Sequence, residues 1–321
     1  MGSKKRSASE PINLPVTAAQ STLASQPSSL AGRLKIFAGD IKIHHTVFAM
    51  PWAILAAALA GKKYPGSLTT GKIALIIICM VMARTVAMAA NRLLDAQLDA
   101  RNPRTARRAL PSGSLSRDFM ATILAICCAA FMLAAAAFQI AWHNPWPLIL
   151  SAPVLIYLCG YPLMKRFTRF CHYYLGVALA LAPVCAWIAI AGRLDWSPLI
   201  IFGIVAAWTA GFDIIYACQD YASDIECGVY SVPAKIGIAR ALWVSRATHA
   251  LAAALLISLG LLVPQFGLLY FIGAGLGVVL LIIEQSLVKP NDLSKVNLSF
   301  FTINGIISVL IGTLSVIDLL R

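Results

Sequence analysis

Long apolar runs, broken by short polar connections, fill the chain from about residue 33 to its last residue. A helix needs roughly 20 apolar residues to cross a bilayer. On that measure the runs predict nine helices, at about residues 46–60, 72–94, 119–142, 147–163, 173–191, 198–218, 241–262, 266–287 and 298–319. Residues 33–45 follow another pattern. Arg33, Lys35, Asp40, Lys42, His44 and His45 are interleaved with Leu34, Ile36, Phe37, Ile41 and Ile43, as in an amphipathic helix lying at the membrane surface. Residues 1–32, rich in Ser, Pro, Ala and Lys and without a compact apolar run, read as a disordered cytoplasmic tail rather than a cleavable signal. The expected fold is an all-α membrane protein, nine transmembrane helices carried by residues 33–321.

The second and sixth of these runs close on acids. Asn91, Asp95 and Asp99 recur every fourth residue, and Asp213, Tyr216, Asp220 and Asp224 repeat the pattern, so each set predicts a polar stripe on one helix face. These two places hold five of the 13 acids in the chain. A carboxylate at membrane depth costs roughly 2.5–3.5 kcal/mol, and clustered carboxylates repel, so both stripes call for a cation. Asp and Asn oxygens without a His or Cys cluster suit Mg²⁺ better than zinc or iron. Mg²⁺ is commonly held by one or two carboxylates plus substrate phosphate, so two facing stripes read as a clamp on a diphosphate. The recurrence suggests a weak internal pseudo-repeat.

Composition agrees with the membrane assignment: 60% of residues are hydrophobic and 12% charged, with mean hydropathy +0.79. The net charge of +13 does not point to nucleic acid. Most of the 26 Lys and Arg fall in the N-terminal segment and in the loops after the second, fourth, sixth and eighth runs, which places the N-terminus and both acidic stretches on the cytoplasmic side. The eight cysteines form no CxxC pair and sit mostly in apolar runs, as small core residues do.

Four ordered motifs carry a resemblance: Asn91-x-x-x-Asp95-x-x-x-Asp99; Asn102-Pro-Arg104 through Arg108 to Pro111-Ser-Gly113; Tyr161-Pro-Leu-Met-Lys165-Arg166-Phe-Thr168; and Asp213-x-x-Tyr216-x-x-x-Asp220-x-x-x-Asp224. From about Lys35 onward the chain resembles the UbiA superfamily of intramembrane aromatic prenyltransferases. Within it, the second and fourth motifs look most like the 4-hydroxybenzoate polyprenyltransferase branch and its relative in the futalosine route to menaquinone. The resemblance implies nine helices around a central cavity capped on the cytoplasmic side, where Mg²⁺ joins an isoprenyl diphosphate to the acids and an aromatic acceptor is prenylated for quinone biosynthesis. By motif position, Asn91, Asp95, Asp99, Asp220 and Asp224 would hold Mg²⁺. Arg104, Arg108, Lys165 and Lys42 would meet the diphosphate, and Asp213, Arg84 and Tyr216, set deeper, would position the acceptor or move its proton. The family's commonest first motif has Asp directly after Asn. Arg92 stands there instead, which removes one acid.

Blander roles are expected elsewhere. Asp118, Asp292 and Asp318 read as solvated surface, His249 as a satisfied helix residue and Glu284 as the partner of a cytoplasmic Lys. Arg101, Arg107, Arg117, Arg166 and Arg169 read as topogenic charges. An ion-coupled carrier is the reading from another class; it expects acids near the bilayer midplane, whereas these lie at helix ends beside Arg-rich loops.

Overall fold

A computed structural model describes Pro27 and residues 29–41 and 48–321. The elements are α1 (Leu30–Asp40), α2 (Met50–Lys63), α3 (Thr70–Arg101), α4 (Arg117–Trp142), α5 (Trp146–Gly160), α6 (Cys171–Ala191), α7 (Trp196–Ala217), α8 (Tyr221–Glu226), α9 (Val232–Ile236), α10 (Ile238–Leu262), α11 (Leu268–Leu287) and α12 (Asn304–Leu320). Short 3₁₀ turns, Tyr161–Arg166 and Cys218–Asp220, extend α5 and join α7 to α8, and a π-helical turn, Leu298–Ile303, leads into α12. No sheet forms among the described residues; an isolated bridge pairs Lys289 with Asp292.

Eight helical segments among the described residues are long and apolar enough to cross a membrane, each matching one of the predicted runs. The remaining run, expected at about 46–60, is the 14-residue α2. At 1.5 Å per residue it spans about 21 Å, short of the hydrocarbon thickness of about 30 Å. It lies in the core. Trp52, Ala53 and every residue from Leu55 to Ala60 are buried, and α2 packs on α6 and α12. A helix apolar on all sides is stable only when enclosed on all sides.

Four of the helices start on a capping side chain. Ser29, Thr69, Ser116 and Ser231 each accept the backbone N–H three residues on, capping α1, α3, α4 and α9. Within the stretch expected as a surface helix the described residues are helical as α1, which begins at Leu30 rather than Arg33; residues 42–45 lie outside the described residues. α7 is the central helix, packed along α6 and α10. Gly176 permits the first contact, since a Cβ there would overlap the Ala206 carbonyl. Trp52, Trp187, Trp208 and Phe138 fill the interior with their large side chains fully enclosed.

Two bland expectations are corrected. Among the described residues Glu284 has no lysine partner; it is fully buried and accepts from Ser299 Oγ (3.0 Å) and Asn304 Nδ2 (2.7 Å), because the π-helical turn and the start of α12 place those donors against it. Asp318 is no idle surface acid. Its carboxylate accepts the Gly267, Leu269 and Tyr270 amides, satisfying the orphan donors at the start of α11. His249 is satisfied as expected, between the Trp208 carbonyl and Gln285.

Candidate functional site

α3 is unbroken for 32 residues, so its polar positions hold helical register to the end. Its successive turns line two different spaces. Arg84, Ala87 and Met88 face an apolar cavity of about 170 Å³, shared with α4, α5 and α6. Asn91, Leu98 and Asp99 face a polar cavity of about 160 Å³. The turn after α5 does the same: Tyr161 lines the apolar space and Lys165 the polar one. From the other side the polar cavity receives Asp220 and Asp224, and from the loop after α3 it receives Asn102, Arg104 and Arg108.

The acids come with their own cations. Arg104 holds Asp220 in a two-pronged pair, Nε to Oδ1 at 2.8 Å and Nη2 to Oδ2 at 2.5 Å, and Asn102 Nδ2 adds a bond of 2.8 Å to Oδ1. The remaining Arg104 nitrogen donates to the Tyr216 hydroxyl at 2.9 Å. Burial acts to lower the Arg104 pKa, but the hydrogen bond and charge of Asp220 outweigh it, so the guanidinium is raised above its ordinary value and stays cationic. Arg108 Nη1 meets both Asp99 oxygens at 2.7 and 2.8 Å. Lys165 Nζ lies 2.6 Å from Asp95, which also accepts from Asn91 Nδ2 at 2.8 Å and from Arg166 at 3.4 Å. Arg166 donates in addition to the Leu94 carbonyl, so it ties the Tyr161–Arg166 turn to α3 and is more than a topogenic charge.

Most of the expected residues therefore meet at one place, with distinctions the sequence does not display. Asn91, Asp99, Arg104, Arg108, Lys165, Asp220 and Asp224 line the polar cavity. Asp95 is fully buried beneath it, holding Lys165 and Arg166 in place. Asp213 does not continue the stripe of Asp220 and Asp224, because α7 ends at Ala217 and the 3₁₀ turn shifts the register. Its Oδ2 lies 2.7 Å from His172 Nδ1. Tyr216 stacks on Phe300 of the π-helical turn at 4.1 Å between ring centroids. Arg84 lines the apolar cavity beside Tyr161, which lies within electrostatic reach of Asp95, Asp213 and Arg84. Lys42 lies outside the described residues.

Two residues were missed. Asp40 of α1 accepts from Arg92 Nε at 2.8 Å and from the Ala109 amide at 2.9 Å, and Arg92 also donates to the Asp40 carbonyl and to Asn91 Oδ1. Arg92 thus binds the surface helix and the basic loop to α3, which accounts for an arginine within an acidic motif. His172 was missed as well. It lies 41 residues from its partner, and no local spacing announces it.

A match to the UbiA prenyltransferase family covers residues 49–306. The chain belongs to that family. Its fold superposes on a UbiA homolog from Aeropyrum pernix K1 with a TM-score of 0.77 at 31% identity, over 86% of this chain and 98% of that one. It also superposes on a UbiA homolog from Archaeoglobus fulgidus bound to DMAPP and Mg²⁺, with a TM-score of 0.65 at 19% identity, over 89% of this chain and 98% of that one. Among curated relatives, the mitochondrial 4-hydroxybenzoate polyprenyltransferase of Schizosaccharomyces pombe is 33% identical over 58% of this chain and 51% of its own length. That of Caenorhabditis elegans is 29% identical over 74% of this chain and 65% of its own length. The chain thus spans about half to two thirds of these relatives. Family membership and the eight apolar helices make it an integral, multi-pass membrane protein.

Proposed function

We propose that the chain transfers a polyprenyl group from an isoprenyl diphosphate to an aromatic acid of the 4-hydroxybenzoate type, in the formation of a membrane quinone, with its active site facing the cytoplasm. The observation that carries this reading is the junction on α3, where one helix turn lines an apolar cavity and the next a cavity of paired acids and cations. A prenyl diphosphate has that same division, an apolar chain joined to a polyanion. The names of the curated relatives support the acceptor class.

The donor set fits Mg²⁺. It consists of hard oxygens from Asp99, Asp220, Asp224, Asn91 and, beneath them, Asp95. Among the described residues no three acids, His or Cys are grouped to hold an ion alone. That suits a cation which completes its shell with substrate phosphate oxygens. When bound, Mg²⁺ would neutralise charge developing on the departing diphosphate. Arg104, Arg108 and Lys165, now occupied by acids, are placed to turn toward the diphosphate oxygens, where charge-assisted bonds stabilise the leaving group. The C–O bond breaks with its electron pair going to the diphosphate, and the allylic cation is left in apolar surroundings beside Tyr161. Arg84 can pair with the acceptor's carboxylate. A ring carbon then bonds to the prenyl carbon, and the ring proton passes to the Asp213 carboxylate as the C–H electron pair restores the aromatic ring.

The test is incubation of the purified protein in lipid nanodiscs with a polyprenyl diphosphate, 4-hydroxybenzoate and Mg²⁺, with products read by mass spectrometry. A prenylated hydroxybenzoate that disappears with EDTA is expected. Neither that product nor diphosphate release, with any aromatic acid offered, would overturn the reading.

A further inference from the structure

We propose that His172 is a positioning residue that fixes the Asp213 carboxylate for proton removal and locks it to the cytoplasmic segment following Asp224. The inference rests on the prenyl-transfer reading above. His172 stands at the start of α6 with its ring buried, its side chain 3% exposed against 21% for Asp213. Both ring nitrogens are engaged by groups from distant parts of the chain. Nε2 accepts the Val232 backbone N–H at 3.1 Å, and Nδ1 lies 2.7 Å from Asp213 Oδ2.

Those partners dictate the tautomer. A backbone amide can donate and cannot accept, so Nε2 must carry a lone pair. The proton is then on Nδ1, and the ring donates it to Asp213. The histidine is then neutral, with one Asp213 oxygen held by the ring and the other left to receive a proton. A doubly protonated ring would turn an N–H against the Val232 N–H and lose that bond.

The Val232 amide is one of the orphan donors at the start of α9, so the bond also docks this helix. The docked segment is stitched to the motif loops at further points. Tyr230 N donates to the Lys165 carbonyl at 2.7 Å, Cys171 Sγ to the Tyr230 carbonyl at 3.4 Å, and Val229 N to the Asp224 carbonyl at 2.8 Å. One imidazole therefore spans α7, α6 and α9. It ties the deeper acid to the backbone that carries Lys165 and Asp224 at the polar cavity. Proton removal would be aligned by the same contact that holds the cap segment over the diphosphate.

Two measurements on the full chain in nanodiscs decide the proposal. In the first, ¹⁵N-histidine NMR at pH 7 compares wild type with His172→Gln, whose missing signals assign the ring among the five histidines of the chain. A neutral ring protonated at Nδ1 is expected; an imidazolium, or a ring protonated at Nε2, would overturn the proposal. In the second, prenyl transfer and diphosphate release are followed together in His172→Ala and His172→Gln. The alanine variant should lose transfer at least tenfold more than release. Glutamine, which can accept from Val232 and donate to Asp213 at once, should recover most of the loss. Equal loss of transfer and release, with no recovery by glutamine, would reduce His172 to a structural residue. If wild type releases no diphosphate and makes no product, the functional reading fails, and the NMR result alone decides whether His172 holds Asp213 as described.

Discussion

The two acidic stretches share a spacing and differ in what the fold does with them. The first rides on the continuous α3, where Asn91, Asp95 and Asp99 stay in register but descend to different depths, and Arg92 between them reaches sideways to Asp40. The second is cut by a 3₁₀ turn, so Asp220 and Asp224 enter the polar cavity while Asp213 turns to His172. One stretch is therefore largely engaged by neighbouring side chains and meets the cavity at Asn91 and Asp99; the other opens to it at Asp220 and Asp224. Equal spacing along a chain fixes neither burial nor partner.

That contrast can be broken most forcefully at Arg92. Arg92→Ala leaves Asp40, its side chain only 8% exposed, without its cation, and the loss should reach about 3–5 kcal/mol in chemical unfolding of the micellar protein. A loss under about 1 kcal/mol would mean that water reaches Asp40 readily.

Asp220→Ala should show the opposite profile. Transfer activity should fall about a hundredfold or more, a change of roughly 2.7 kcal/mol in transition-state stabilisation, while the unfolding midpoint hardly moves. The acid lines the polar cavity and its partner Arg104 is about a third exposed, so the cation it leaves can be solvated.

Asp95→Ala should fall between the two, with stability lowered by about 2 kcal/mol, because the acid is buried while Lys165 and Arg166 are each partly exposed and can find water. Activity should fall in step, since those cations would no longer be held at the cavity. Full stability with lost activity would move Asp95 to the functional side of the comparison.

The smallest effect lies at the other membrane face, where Lys63 Nζ and the Tyr64 hydroxyl reach Asp195 at 2.8 and 2.7 Å. Burial pushes the Asp195 pKa upward, but the bonds from Lys63 and Tyr64 prevail and hold it below the usual carboxylate value. Because the folded pKa is the lower one, its contribution is present above the unfolded value of about 3.9 and is lost as pH falls below that. Wild type should lose up to about 1 kcal/mol more than Asp195→Asn on acidification from pH 5 to pH 3. Equal losses in the two proteins would leave the pair without net worth.

Much of this was legible in the linear chain. Hydropathy placed eight crossing helices to within a few residues at most ends, because lipid compels long apolar helices whatever their neighbours. The spacing of Asn91, Asp95, Asp99, Asp220 and Asp224, with Arg104, Arg108 and Lys165 in the intervening loops, located the polar site. Helical periodicity puts residues four apart on one face, and acids at membrane depth require cations.

Tertiary structure decided the rest. It enclosed α2 in the core, because enclosure depends on what α6 and α12 bring to it. It assigned Arg92 to Asp40 and sank Asp95 beneath the cavity lined by Asp99. It also joined His172 to Asp213 and Val232, three residues on three separate helices. Hydropathy and periodicity are local properties, set by a residue and its near neighbours along one helix. Depth, partner and tautomer belong to pairs of helices, and they exist once those helices have packed.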